Sequence, residues 1–112
     1  MPSTVFGLII AGKIPCTKVF ENERILAIED IHPVAPVHVL IMPKKEIQNL
    51  QSVAEKDLHL IGEIIRVAQL IAEEKGVADG YRLLTNNGPD AGQVIFHLHF
   101  HLIGGRVLGS IA

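Results

Sequence analysis

The sequence predicts an α+β domain, an antiparallel sheet of about five strands with one long and one short helix, and three observations predict it. Apolar and polar residues alternate from Phe96 to Leu102 (Phe-His-Leu-His-Phe-His-Leu), the period of a half-buried strand. Between Ser52 and Gly76, apolar residues recur at helical spacing in two stripes, Leu58-Ile61-Ile65-Ala68-Ala72 and Leu60-Ile64-Val67-Ile71, a face wide enough for burial on two sides. The remaining apolar runs are short, β-rich and bounded by Asn, Gly and Pro. With 112 residues, 48% of them hydrophobic, the chain can bury a core without disulfide staples and reads as one domain over residues 1–112.

Each element has its local reason. Ser3 is placed to cap a short helix that runs to about Ala11 and ends at Gly12. Residues 18–21 and 24–29 read as two strands joined at Asn22 in a hairpin. Pro33 and Pro36 punctuate a loop over residues 30–36, and Val37-His38-Val39-Leu40-Ile41-Met42 is a strand stopped by Pro43. Ser52-Val53-Ala54-Glu55 is a capping box that opens the long helix, and Gly76 after Lys75 closes it. Residues 81–85 form another strand, and the turn-rich Asn86-Asn87-Gly88-Pro89-Asp90-Ala91-Gly92 feeds the histidine strand.

Composition excludes several functions. A net charge of −2 supplies no basic field for a nucleic acid. The single Cys16 rules out an internal disulfide and suits a reducing compartment. The first cation is Lys13 and the apolar run 5–11 is short, unlike a signal peptide. No run reaches the length of a membrane span, so the expectation is a cytoplasmic protein with no membrane partner. A mean hydropathy of +0.35 is high for such a chain, and a second copy covering part of the surface accounts for it.

The alternating strand carries the chemistry. It places Phe96, Leu98, Phe100 and Leu102 in the core and sets His97, His99 and His101 in a row on the other face, about 6.5–7 Å apart. Imidazole titrates near neutrality and serves as nucleophile, base, acid or metal ligand. Three readings stand beside one another. A His-x-His strand can hold zinc with one open position, although residues 102–112 contain no carboxylate to complete a cupin-like set. The row can be a plain polar face. Or a neutral imidazole can attack phosphorus while its neighbours steady the oxygens, beside a glycine-rich loop able to present backbone N–H groups. His32 and His59 lie apart from the row and read as incidental.

The stretch Gly92-Gln93-Val94-Ile95-Phe96-His97-Leu98-His99-Phe100-His101-Leu102-Ile103-Gly104-Gly105-Arg106 resembles the signature of the histidine-triad (HIT) family. The likeness extends to Ile9-Ile10-Ala11-Gly12-Lys13-Ile14-Pro15, Glu29-Asp30-Ile31, Ala35-Pro36-Val37-His38 through Pro43-Lys44-Lys45, and Asn86-Asn87-Gly88. It is nearest to the Hint branch, small homodimeric purine nucleoside phosphoramidases that also cleave aminoacyl adenylates. The resemblance implies a HIT-like fold and a purine nucleotide, AMP or an AMP conjugate, as ligand, with no cofactor. It implies His99 as the nucleophile that becomes a nucleotidyl-histidine, His101 on the α-phosphate, and His97 offering its carbonyl to the His99 ring. His38 would complete the imidazole cluster, Asp30 would bind ribose, and Ile31 would pack by the base. Asn86 and Gly92-Gln93-Val94 would hold the phosphate.

Three departures from the family pattern matter. Val94 stands where many Hint proteins carry Ser or Thr. The structural-zinc positions of some bacterial relatives read Thr4-Val5-Phe6-Gly7 and Glu46, leaving only His97, so no metal is expected. The chain reaches Ala112 soon after Arg106, without the longer tail of eukaryotic members. The expected homodimer is assigned to the stripe Leu60-Ile64-Val67-Ile71 and the strand at residues 81–85.

Overall fold

A computed structural model describes residues 4–112 and shows a five-stranded antiparallel sheet in the order β1-β2-β3-β5-β4. The strands are β1 (Lys18–Glu21), β2 (Ile25–Glu29), β3 (Val37–Pro43), β4 (Tyr81–Leu84) and β5 (Phe100–Gly104), with helices α1 (Val5–Ile10) and α2 (His59–Glu74). The β1–β2 turn is held by Asn22, whose Oδ1 accepts from the N–H groups of Arg24 and Ile25 at 2.9 and 2.8 Å. That commitment keeps Arg24 out of β2, one residue later than the sequence suggests.

Strand parity divides the sheet into two faces. Ile25 and Ala27 of β2, Val39 and Ile41 of β3 and Leu102 of β5 pack on one face with Ile64, Val67, Ala68 and Ile71 of α2. The other face carries Leu26, Ile28, Leu40 and Met42, packed with Phe6 of α1. Because α1 is only six residues long, it covers a fraction of this second face. The uncovered end is where polar side chains gather.

Several local expectations change. Ser3 lies outside the described residues; Thr4 caps α1, its Oγ1 accepting from Gly7 N–H at 3.0 Å. Ser52 does not open the long helix, because Asn49 Oδ1 accepts from both its N–H and its hydroxyl. Short 3-10 turns at Leu50–Ser52 and Glu55–Asp57 follow, and α2 begins only at His59. The stripe Leu60-Ile64-Val67-Ile71 faces the protein's own core, while Leu58 and Ile65 of the other stripe are exposed. The assignment of that buried stripe to a dimer interface is therefore wrong. β3 continues through Pro43, which pairs with Ile25, since the missing proline N–H need not face the neighbouring strand.

The histidine strand is the largest correction. β5 starts at Phe100, not before His97. Upstream, the backbone is satisfied from outside the sheet: Leu98 N–H donates to Ile47 carbonyl at 2.7 Å, and His99 carbonyl accepts from Thr85 Oγ1 at 2.6 Å. Phe96 is consequently 39% exposed rather than in the core. His97 and His99 are buried and His101 is half-buried, so the imidazoles do not form an exposed row.

Candidate active site: a cluster of ordered imidazoles

His38 and His101 meet through sheet register. His38 lies opposite Ile103 and Leu40 opposite His101, so the two imidazoles are diagonal neighbours on one face, within reach of each other. His38 Nε2 stands 2.9 Å from His101 Nδ1 and 3.3 Å from Asp30 Oδ2. Asp30 follows the end of β2, its N–H donating to His38 carbonyl at 3.0 Å. Its Oδ1 accepts from His32 N–H at 2.8 Å, which fixes the carboxylate.

The protons in this cluster can be placed. Val34 N–H donates to His38 Nδ1 at 3.1 Å, so that nitrogen holds its lone pair and the His38 proton sits on Nε2. Nε2–H then donates toward His101 Nδ1 and Asp30. His101 Nδ1 is thereby an acceptor, and the His101 proton sits on Nε2. Burial above all, then the neighbouring His99 and His38 rings, hold the His101 pKa down at about 4.

His99 is ordered from the other side. Its Nδ1 donates to His97 carbonyl at 2.7 Å, which leaves Nε2 with a free lone pair. Phe6 meets the His99 ring edge-on with centroids 4.8 Å apart, and the His101 centroid lies 5.1 Å away. Burial lowers the His99 pKa, and the His97 carbonyl opposes that shift. A neutral imidazole with one bare nitrogen is a nucleophile at neutral pH. His97 turns inward, donating from Nε2 to Pro43 carbonyl at 2.8 Å; desolvation lowers its pKa as well. Its Nδ1 is buried with no hydrogen-bond partner among the described residues.

The loop before the triad is braced by Gln93. Its Oε1 accepts from Gly88 N–H at 2.7 Å and its Nε2 donates to Gln48 and Ile95 carbonyls at 2.9 and 3.1 Å. The Gln93 side chain is therefore a strut beneath the loop, leaving only its backbone for a ligand. Gly92 sits at φ +94, a left-handed turn that a side chain would strain. Val94 and Ile31 are 82% and 85% exposed, and Asn86 is half-buried. His32 and His59 are exposed and outside the cluster. Sequence reasoning missed Phe6, Val34 and Thr85; only Phe6, an aromatic in a short amphipathic helix, left any signal.

Asp30, His38 and His101 bring three possible metal-ligand atoms within 4.8 Å of one another. The proton order does not fit an ion there. A metal-bound imidazole donates its remote N–H to an acceptor, whereas the remote nitrogen of His38 accepts one, so a proton points into the trio. The alternative positions, Thr4, Gly7, Glu46 and His97, offer one imidazole and one carboxylate, too few for a closed zinc site. Among the described residues no helix is long and apolar enough to cross a membrane.

Comparisons with known proteins converge. The HIT domain family model matches residues 11–108. A HIT-like protein of Chlamydia pneumoniae is 53% identical over 109 residues, covering 97% of this chain and 99% of that protein. The adenylylsulfatase HINT1 of Arabidopsis thaliana is 41% identical over 105 residues, 92% of this chain and 71% of that protein. Among solved structures, a HIT family hydrolase from Clostridium thermocellum superposes with a TM-score of 0.95 at 46% identity, covering 99% of this chain and 97% of that one.

Proposed function

The chain belongs to the histidine-triad family, and from that premise we propose that it is a nucleotide-binding hydrolase. Its substrates would be AMP-linked phosphoramidates or aminoacyl adenylates, cleaved through a nucleotidyl-histidine intermediate. One observation carries the reading: the 2.7 Å bond from His99 Nδ1 to His97 carbonyl, which frees Nε2 beside His101. In this scheme His99 attacks the α-phosphorus and His101 Nε2–H steadies a non-bridging oxygen. Asp30 accepts from the ribose hydroxyls, Ile31 lies by the base, and Asn86 with the Gly92–Val94 backbone holds the phosphate. His38 orders His101. Hydrolase relatives and an adenylylsulfatase relative support the reaction class.

The test is steady-state hydrolysis of adenosine 5′-phosphoramidate and lysyl-AMP beside AMP binding by calorimetry. An alkaline quench and mass spectrometry would locate the adduct, since a phosphorus–imidazole bond is acid-labile. An adduct on His97 or His101 overturns the assignment. The donor-free, exposed Val94 favours a second reading, a nucleotide-binding regulatory protein of low turnover; AMP binding without hydrolysis would establish it. Activity should survive dialysis against a chelator, given the proton between Asp30, His38 and His101.

We also infer a homodimer. β4 pairs with β5 alone and ends the sheet, leaving a backbone edge that needs cover, and Ile65 and Leu70 of α2 are exposed. A monomeric mass by light scattering at micromolar concentration would rule it out.

A further inference from the structure

β5 begins at Phe100, and the two strands beside it reach that end unequally. On the β3 side Phe100 is paired, opposite Ile41, whereas on the β4 side the last pair is Leu84 opposite His101. The residue after Leu84 is Thr85, half-buried, and its side chain carries the contact one step further: Oγ1–H donates to His99 carbonyl at 2.6 Å. A carbonyl only accepts, so the hydroxyl proton lies on this bond. The backbone around His99 is thus held by Leu98 N–H on Ile47 carbonyl upstream and by the Thr85 hydroxyl downstream of Cα. The ring is held separately, by Nδ1–H on His97 carbonyl. That ring bond aims Nε2 only as well as the backbone beneath it is fixed. On the other side of Thr85 stands Asn86, and Asn87 Oδ1 accepts from Gln51 N–H at 2.7 Å. Asn86 is therefore suspended between two anchored neighbours, one of them bound to the His99 backbone.

Resting on the hydrolase reading above, we propose that Thr85 is a positioning residue. Its hydroxyl sets the spacing between the attacking nitrogen of His99 and the phosphate held at Asn86, and so governs the chemical rate rather than nucleotide affinity. Attack on phosphorus needs the reacting atoms about 3–3.5 Å apart and aligned, and a misplacement of about 1 Å costs on the order of 10²-fold. Without the hydroxyl, the carbonyl of the buried His99 loses its donor and the peptide plane that follows turns to find another. Nε2 then leaves its line to phosphorus while its ring bond to His97 carbonyl survives. The contacts assigned to Asp30, Ile31 and the Gly92–Val94 backbone lie on other segments, so the nucleotide stays bound.

The test is single-turnover hydrolysis of adenosine 5′-phosphoramidate or lysyl-AMP, whichever the wild type cleaves faster, at saturating concentration, beside AMP calorimetry. Thr85→Val keeps the side-chain shape and removes the donor; Thr85→Ser keeps the donor. We expect Thr85→Val to lower the single-turnover rate by about 10- to 100-fold while the AMP Kd stays within about twofold, and Thr85→Ser to recover most of the loss. The pH–rate profile of Thr85→Val should keep the wild-type shape, because no titrating group is removed. Thr85→Ser and Thr85→Cys lose the same methyl and differ mainly in donor strength, so this pair decides the matter where Thr85→Val does not fold; Thr85→Cys should be the slower. The mass of each variant by light scattering should equal that of the wild type, which separates positioning from a change at the β4 edge. A wild-type rate in Thr85→Val, no recovery in Thr85→Ser, equal rates for Thr85→Ser and Thr85→Cys, a matching loss of AMP affinity, a displaced pH profile, or a rate loss that tracks a change of mass overturns the role of Thr85 alone. No hydrolysis of either substrate by the wild type overturns the hydrolase reading and this role with it.

Discussion

The two faces of this sheet are made by the same strands, residue by alternate residue, and differ in what covers them. On the α2 face, Ile25, Ala27, Val39, Ile41 and Leu102 are all completely buried beneath a sixteen-residue helix. On the α1 face the covering helix is six residues long, and its Phe6 packs with Leu26, Ile28, Leu40 and Met42 and meets the His97 and His99 rings edge-on. Full cover favours side chains that need no partner. Partial cover leaves imidazoles buried enough to stay neutral yet close enough to solvent to meet a ligand. A face that is to meet a ligand needs incomplete cover as much as suitable side chains, because a fully buried polar group must be satisfied internally.

The sharpest way to break this contrast is to remove the proposed nucleophile. His99→Ala should lower hydrolysis by about 10⁴-fold or more while AMP binding persists through Asp30 and the loop backbone; kinetics and calorimetry on one preparation check it. Near-normal turnover would mean that the α1 face does not work as described. On the opposite face, Ile41→Ala should cost about 2–5 kcal/mol in denaturant unfolding, and the surviving folded fraction should keep its specific activity. A loss of activity per folded molecule would couple the two faces directly.

Acid should act through the α1 face. The folded pKa values of His97, His99 and His101 lie below the ordinary imidazole value, chiefly through burial, with His101 at about 4. Between about pH 6.5 and about 4 the unfolded chain binds more protons than the native one. Stability is therefore complete above the unfolded pKa and lost as pH falls toward about 4, with Tm declining over that window. A His101→Gln variant should show a shallower decline, and an identical one would remove His101 from the account. Val94→Ser, which adds a donor at the rim, should raise phosphoramidate kcat by about tenfold, less than the roughly 2.7–4 kcal/mol of a well-placed donor, because the backbone N–H is already there. The smallest effect belongs to the helix that provides the partial cover: Thr4→Ala removes the α1 cap and should cost about 1 kcal/mol, measured by chemical denaturation.

Much of this molecule is legible in one dimension. The β-rich run at residues 37–42 and the turn chemistry at Asn22 specify strands, because β propensity and Asx hydrogen bonding are local properties. The apolar stripes of α2 are equally plain in the sequence, but which stripe faces inward is not. Both are apolar, and only the packing partner, Ile41 and its neighbours, decides that Ile64 and Ile71 are buried while Ile65 is exposed. The capping box at Ser52 misleads for a related reason: Asn49 competes for the same N–H and hydroxyl, three residues earlier.

The sequence by itself determined the sheet-and-helix composition, the family resemblance and the concentration of imidazoles in one segment, because these depend on residue type and spacing. Tertiary structure alone decided the state of each imidazole. Residues 97–99 leave the ladder because Ile47 and Thr85, distant in sequence, supply their backbone partners. His38 carries its proton on Nε2 because Val34 N–H is fixed against Nδ1, within a loop whose Val34 carbonyl accepts from Arg106 at 2.9 Å. Which nitrogen of a histidine is bare is set by whatever donor or acceptor the fold places beside the other one, and no local pattern of residues contains that placement.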